Sequence, residues 1–346
     1  ACHPRRSYPI VLSTSPSTAA IFCGRCVRLS LPNSKVKSPV WAILGASSGN
    51  LVEWYDFYAY AFTAIYFAQA FFPEGDETSK LLQSAGIFAV GFLMRPLGGW
   101  FFGRMADRHG RRTSMLVSVL MMSAGSLMIA ILPTYQTIGV AAPWLLLIAR
   151  MVQGLSVGGE YGASATYMSE IASPRHRGFY SSFQYMTLIG GQLMASLVIV
   201  VMDHLLAKEQ ILAWGWRIPF VIGALAALVA LILRRTLVET TTAESRRSND
   251  SGRLKALLKH PWACLSVIGF TGGGSLIFYT YTTYMQKYLV NTAHFEKSLA
   301  NHVMTGVLFF YMLIQPLFGA LSDRVGRKRC MVGFAFWGIL TTVPLM

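Results

Sequence analysis

The feature that most constrains this chain is a recurrence of apolar runs, each about 20 residues long, from Trp41 almost to Met346. A run of that length crosses the roughly 30 Å hydrocarbon layer as one α-helix, and helices satisfy their backbone polar groups internally, as lipid requires. The runs predict helices over 41–70, 82–103, 114–133, 142–166, 179–202, 216–235, 262–288 and 302–321, with a ninth beginning near 329. The expected fold class is an all-α polytopic membrane protein. Composition agrees, because 53% of the residues are apolar and only 13% charged, where a soluble domain carries about 25% charge. Mean hydropathy is +0.46. An ordinary soluble enzyme is excluded.

The net charge of +15 does not indicate a nucleic-acid partner, because the basic residues stand in short blocks between the apolar runs. Such blocks orient a protein in the bilayer. The leader, the regions around Arg104–Arg112, Arg175–Arg177 and Arg234–Lys259, and the stretch Arg324–Arg329 together hold 23 of the 30 basic residues. These regions alternate with poorly charged connectors, so the N-terminus is expected on the cytoplasmic side of a plasma membrane. Residues 1–40, with six Lys or Arg, seven Ser and no acid, read as a disordered basic leader, a composition that also resembles an organelle transit peptide. Cys23 and Cys26 form one CxxC without a second pair, so neither a disulfide framework nor a metal site is expected.

A repeat divides the remainder. Phe102, Gly103, Asp107, Arg108, Gly110 and Arg111 recur 216 residues later as Phe318, Gly319, Asp323, Arg324, Gly326 and Arg327. Both copies follow an even-numbered helix, and a polar linker at 236–260 separates them. The expected organisation is a six-helix bundle over 41–235, the linker, and part of a second bundle over 261–346.

The two copies resemble the Gly-x-x-x-Asp-Arg-x-Gly-Arg-Arg signature of the major facilitator superfamily. The strings Gly45-Ala-Ser-Ser-Gly-Asn50, Glu53-Trp-Tyr-Asp56-Phe57, Arg150-Met-Val-Gln153-Gly154 with Gly158-Gly159-Glu160, and Trp216-Arg217-Ile-Pro219-Phe220 resemble its metabolite:proton symporter branch. The runs Ser182 to Gln192 and Tyr279 to Tyr288 resemble members that carry α-ketoglutarate. The resemblance covers about 41–346 and implies secondary active, proton-coupled symport of α-ketoglutarate or a similar dicarboxylate by a monomer in the bilayer, with no cofactor. Symport of citrate, shikimate, proline or betaine is the alternative. Members of the superfamily have twelve helices, so an incomplete chain without uptake is also expected as a possibility. Helix 5 lacks the Gly-Pro pair of resembling antiporters, which favours symport or uniport.

Charge inside hydrocarbon costs a few kcal/mol, so intramembrane ionisable residues are functional candidates. At about 1.5 Å per residue, Glu53, Arg95 and Arg150 approach the midplane, with Asp56 one turn beyond Glu53 and shallow enough to stay hydrated. Glu53 and Asp56 are candidates for proton coupling, Glu53 first, and Glu53 paired with Arg95 is the expected resting state. Arg95 and Arg150 are candidates for binding carboxylates, with Gln153, Gln184, Tyr185, Gln192, Tyr279 and Tyr281 as further substrate contacts. The resemblance implies gating by Gly103, Asp107, Arg108, Gly110 and Arg111, by their repeats Gly319, Asp323, Arg324, Gly326 and Arg327, and by Glu170 partnered with Arg177. Glu160 reads as a solvated helix end. No P-loop, metal-ligand cluster or nucleophile with an adjacent base points to an enzyme.

Overall fold

The computed structural model describes residues 39–72, 75–235, 237, 239 and 261–345. The Cys23–Cys26 pair, nearly all of the leader and most of the linker lie outside them. No strand occurs among the described residues. Among the described residues nine long helices follow one another: α1 (Pro39–Phe71), α2 (Glu77–His109), α3 (Arg111–Ile131), α4 (Ala141–Ile171), α5 (Arg177–Leu205), α6 (Ile218–Arg234), α7 (Pro261–Tyr279), α8 (Lys297–Val325) and α9 (Arg327–Leu345). Among the described residues, α2 to α8 are long and apolar enough to cross a membrane. The chain is a multi-pass membrane protein.

The helices outrun the apolar stretches that announce them, because capping and not hydropathy ends them. α2 starts at Asp76, whose carboxylate accepts from Ser79 N at 3.1 Å. The Ser79 hydroxyl and N–H hold that carboxyl below the usual range. At the other end α2 runs through Arg104, Asp107 and Arg108 and stops only at Gly110, whose φ of 105° disfavours any residue with a side chain. α8 stops in the same way at Gly326, φ 104°. The expected connectors are thus one glycine each: Asp107, Arg108, Asp323 and Arg324 ride on the last turns of the preceding helices, and Arg111 and Arg327 open the following ones.

Within the first bundle α2 lies along α4, α3 packs on α4 and α6, and α1 packs on α5 and α6. The α2–α4 contact is set by glycine: a Cβ at Gly154 would overlap the Gly91 carbonyl, and one at Gly158 would overlap that of Arg95. Backbones approach this closely only where side chains are absent. An aromatic cluster of Tyr60, Phe67, Phe71, Trp216 and Phe220 closes one end of the bundle, with Phe71 and Trp216 ring centroids 5.5 Å apart. α8 packs on α5, and Leu308, Tyr311 and Met312 join α1 and α5 in a second core cluster. In α7 the triplet Gly272–Gly274 stays helical, and the irregularity falls later, as a π-helical turn at Thr280–Tyr284 that leads into a last helix, Met285–Asn291.

Candidate functional site

α1 and α4 each carry polar residues at helical spacing: Gly49, Glu53 and Asp56 on one, Arg150, Gln153, Ser156 and Glu160 on the other. All four α4 residues named are at most 4% exposed among their polar members, and Glu53 and Asp56 are 1% and 0% exposed. The sequence places these stripes on the helices, and packing against α2, α3 and α6 removes them from water.

Arg95 and Arg150 line one small cavity, with room for about one water molecule, together with Asp56, Phe57, Phe88, Phe92 and Gln153. Each guanidinium lies over aromatic faces. Arg95 is 4.1 Å from the Phe92 ring centroid, 4.8 Å from Phe57 and 5.5 Å from Trp54. Arg150 is 4.1 Å from Tyr60 and 5.1 Å from Phe88. Such contacts stabilise a desolvated cation by about 0.5–2 kcal/mol each. They keep the charge available, because a ring offers no hydrogen-bond acceptor to saturate the guanidinium.

Arg150 donates from Nη1 to Gln153 Oε1 at 2.7 Å, Gln153 Nε2 donates to Ser126 Oγ at 2.9 Å, and Ser126 donates to Asp56 Oδ2. Arg150 and Asp56 are therefore linked through two side chains and make no direct ion pair. Asp56 is fully buried, contrary to the hydrated position expected from rise along the helix alone. The expected Glu53–Arg95 pair is also absent: both Glu53 oxygens are buried without a hydrogen-bond partner, while Arg95 takes the aromatic faces.

Other candidates part company. Tyr279 approaches Arg95, and Tyr185 accepts from the Tyr161 hydroxyl at 3.2 Å. Gln192 is 8% exposed with Oε1 unpartnered. Gln184 instead stitches three helices: it donates to Asn50 Oδ1 at 2.9 Å and accepts from Ser164 at 3.0 Å. Tyr281 turns to α9, within 3.1 Å of the Thr341 hydroxyl and 3.3 Å of that of Thr342. Of the expected substrate contacts only Arg95, Arg150 and Gln153 line the arginine cavity; Gln184, Tyr185, Gln192, Tyr279 and Tyr281 do not.

At the end with the repeated motif, Glu170 pairs with Arg111 at 2.8 Å and not with the expected Arg177, which is exposed at the start of α5. The Glu239 carboxylate accepts from Arg111 N and Arg112 N at 2.9 and 3.2 Å. Glu160 is no solvated helix end. It is 2% exposed and forms a bidentate pair with Arg234, itself 0% exposed, which sequence reading assigns to the linker's basic block. Sequence reading also missed Ser126 and Ser118. The available signal was the spacing of Ser114, Ser118 and Ser126 in steps of four and eight on one face of α3.

Comparison with known proteins agrees with this architecture. Residues 41–242 match the family described as sugar (and other) transporter. The chain is 59% identical over 316 residues to the α-ketoglutarate permease of Escherichia coli (strain K12), spanning 91% of this chain and 73% of that one. It is 38% identical to the citrate-proton symporter of Salmonella typhi, across 88% of this chain and 71% of the relative. It is 36% identical to a glycine betaine/proline/ectoine/pipecolic acid transporter of Dickeya dadantii (strain 3937), across 84% and 61%. The proton:xylose symporter XylE bound to 6-bromo-6-deoxy-D-glucose superposes with a TM-score of 0.60 at 19% identity, over 83% of this chain and 69% of that one. The chain belongs to the sugar (and other) transporter family and has the major facilitator fold.

Proposed function

We propose that the protein imports α-ketoglutarate or a closely similar dicarboxylate together with protons across a bacterial inner membrane. One observation carries the reading: Arg95 and Arg150 face one buried cavity, and neither forms an ion pair with a described residue. Two such charges are compensated best by a dianion, and each guanidinium fork matches a carboxylate. The buried Arg150 Nε has no partner and is free to donate. The name of the E. coli relative agrees.

Proton coupling falls to α1. Low dielectric disfavours a charged carboxylate, and Glu53, with no donor to its oxygens, loses most when charged. Substrate that draws on Arg95 or Arg150 withdraws their compensation from Glu53 and Asp56, which then hold a proton more readily. By linkage the proton favours substrate in return. Tyr185, Gln192 and Tyr279 supply polar contacts around the bound anion. The bundles over 41–235 and 261–346 act as the two moving halves of a monomer, with the linker and N-terminus cytoplasmic. Gly103, Asp107, Arg108, Gly110, Arg111 and Glu170, with the repeat from Gly319 to Arg327, hold that side closed.

The test is uptake of labelled α-ketoglutarate by the full-length protein in liposomes under an acid-outside gradient. Unlabelled α-ketoglutarate should compete far better than citrate, shikimate, proline or betaine. Stronger competition by proline or betaine would replace the dicarboxylate reading with a zwitterion carrier.

A further inference from the structure

A second cavity, with room for about one water molecule, lies between α1, α3 and α4, lined by Gly49, Val119, Met122 and Ser156 and by two carboxylates, Glu53 and Glu160. The carboxylates differ sharply in their surroundings. Glu53 has no hydrogen-bond partner on either oxygen. Glu160 is paired on both oxygens and keeps one acceptor site on Oε1: Oε1 accepts from Arg234 Nη2, and Oε2 accepts from Arg234 Nη1 at 2.7 Å and Ser118 Oγ at 2.8 Å. Two carboxylates on one buried cavity repel if both are charged, so the unpaired one is where a proton resides. The hydroxyl of a protonated Glu53 then needs an acceptor. Among the described residues the polar groups that share its cavity are Ser156, whose hydroxyl donates to the Ser118 carbonyl at 2.5 Å, and Glu160, whose charged carboxylate is the stronger acceptor of the two.

We propose that Glu160 is a second proton site, in series with Glu53 through this cavity, and that Arg234 holds it ready. The proposal rests on the proton-coupling role of Glu53 argued above. In the transfer the Glu53 O–H bond breaks, its proton passes to a water in the cavity, and that water gives a proton to a Glu160 oxygen. Glu53 is left as a carboxylate and Glu160 neutral, with no net change of charge. Arg234 stays charged throughout. It can release Glu160 without being stranded, because it also donates to the carbonyls of Met115 at 2.8 Å, Ala46 at 3.1 Å and Gly45 at 3.3 Å. The charged and titratable groups that act on Glu53 come from α2 (Arg95), α4 (Glu160 and Tyr161) and α6 (Arg234). The freed Glu53 charge is thus drawn towards Arg95, the group that grips substrate. The proton moves between α1 and α4 through the second cavity and does not share the path of the anion.

The experiment compares accumulation driven by a pH gradient with counterflow exchange, in the full-length protein, for Ser156→Val, Glu160→Gln and Glu53→Gln. Filling the cavity with Ser156→Val should slow gradient-driven accumulation about a hundredfold, the scale of losing a positioned proton acceptor, and leave exchange at wild-type rate. Glu160→Gln should do the same. If Glu160→Gln does not fold, Ser156→Val, which leaves the Arg234 pair in place, carries the test. Normal accumulation by Ser156→Val beside an uncoupled Glu53→Gln overturns the second site and leaves the role of Glu53 standing. Accumulation by Glu53→Gln defeats the coupling role itself.

Discussion

Asp323 on the last turn of α8 caps α5 through Gly178: its carboxylate accepts from Gly178 N at 2.8 Å and from Phe179 N at 2.9 Å. The N-terminus of α5 carries the positive end of the helix dipole, so a buried carboxylate there is doubly favoured. Close approach makes the contact possible, because Gly319 packs against the Gly178 backbone and Ser182. The first copy of the motif has no such dock among the described residues, and a Cβ at Gly103 would meet open space. The second copy ties 261–346 to the first bundle.

Asp323→Asn keeps an acceptor and loses the charge. Removing a charge-assisted bond of this kind costs about 1.5–3 kcal/mol, which moves a two-state equilibrium by roughly ten- to a hundredfold. Paired spin labels near Tyr180 and Arg329 should show a longer, broader distance distribution in the variant. An unchanged distribution would mean that this cap does not hold the two elements together.

Arg95→Lys and Arg150→Lys keep the positive charge but lose the planar fork and its stacking on Phe92 or Tyr60. Each should weaken α-ketoglutarate uptake about tenfold or more, mainly through KM, at unchanged expression. Normal transport by both variants would make these arginines structural and remove the physical support for a dicarboxylate.

The Glu160–Arg234 pair is nearly sealed from water, so removing Arg234 strands the buried Glu160 carboxylate. Arg234→Gln should destabilise the protein by about 3–5 kcal/mol, read as a drop in thermal stability in detergent. Replacing both partners with Gln should cost less than Arg234→Gln alone, because no unpaired charge remains. A double variant as unstable as the sum of the singles would deny the coupling.

The helices were legible because apolar runs of spanning length have few alternatives in a chain this poor in charge. Their ends were not: hydropathy cannot register that α2 continues through Arg104 and Arg108 until Gly110 stops it. In the site, depth read from helical rise grouped Glu53 with Arg95 and Arg150, whereas the cavity the arginines line holds Asp56 and Glu53 lines the other one, and it misplaced Glu160. Rise along an axis says nothing of a neighbouring helix. Asp56 is dry because α3 supplies Ser126, and Glu160 is dry because α6 supplies Arg234 from 74 residues away. Arg234 adjoins Arg235, and counting basic residues cannot tell the buried one from the exposed one.

Gly158 offers a test of the scaffold that leaves the ionisable groups in place. A Cβ added there would overlap the Arg95 carbonyl, so Gly158→Leu must push α2 off α4. Overpacking of this kind costs about 1–3 kcal/mol, and here it also shifts Arg95 relative to Arg150. Reduced stability together with loss of uptake is expected, whereas Gly162→Leu, with open space around it, should be tolerated. Equal effects at both positions would show that the close α2–α4 contact is not what positions the arginines.

The two carboxylates of α1 should differ in their failure. Glu53 is bare and Asp56 is tied to Arg150 through Ser126 and Gln153. Glu53→Gln removes a proton site and mimics the neutral acid, so the cycle can run with substrate alone. Exchange of α-ketoglutarate should persist while accumulation driven by an acid-outside gradient is lost. Asp56→Asn also leaves a neutral side chain, but it removes the negative end of the chain that orients Arg150, so its first effect should be on substrate affinity, as a raised KM in exchange as well as uptake. The pair of variants thus separates proton coupling from substrate positioning. Should Glu53→Gln still concentrate substrate, and Asp56→Asn fail to, the coupling site is Asp56, and the chain through Ser126 and Gln153 is the link by which substrate on Arg150 reaches it.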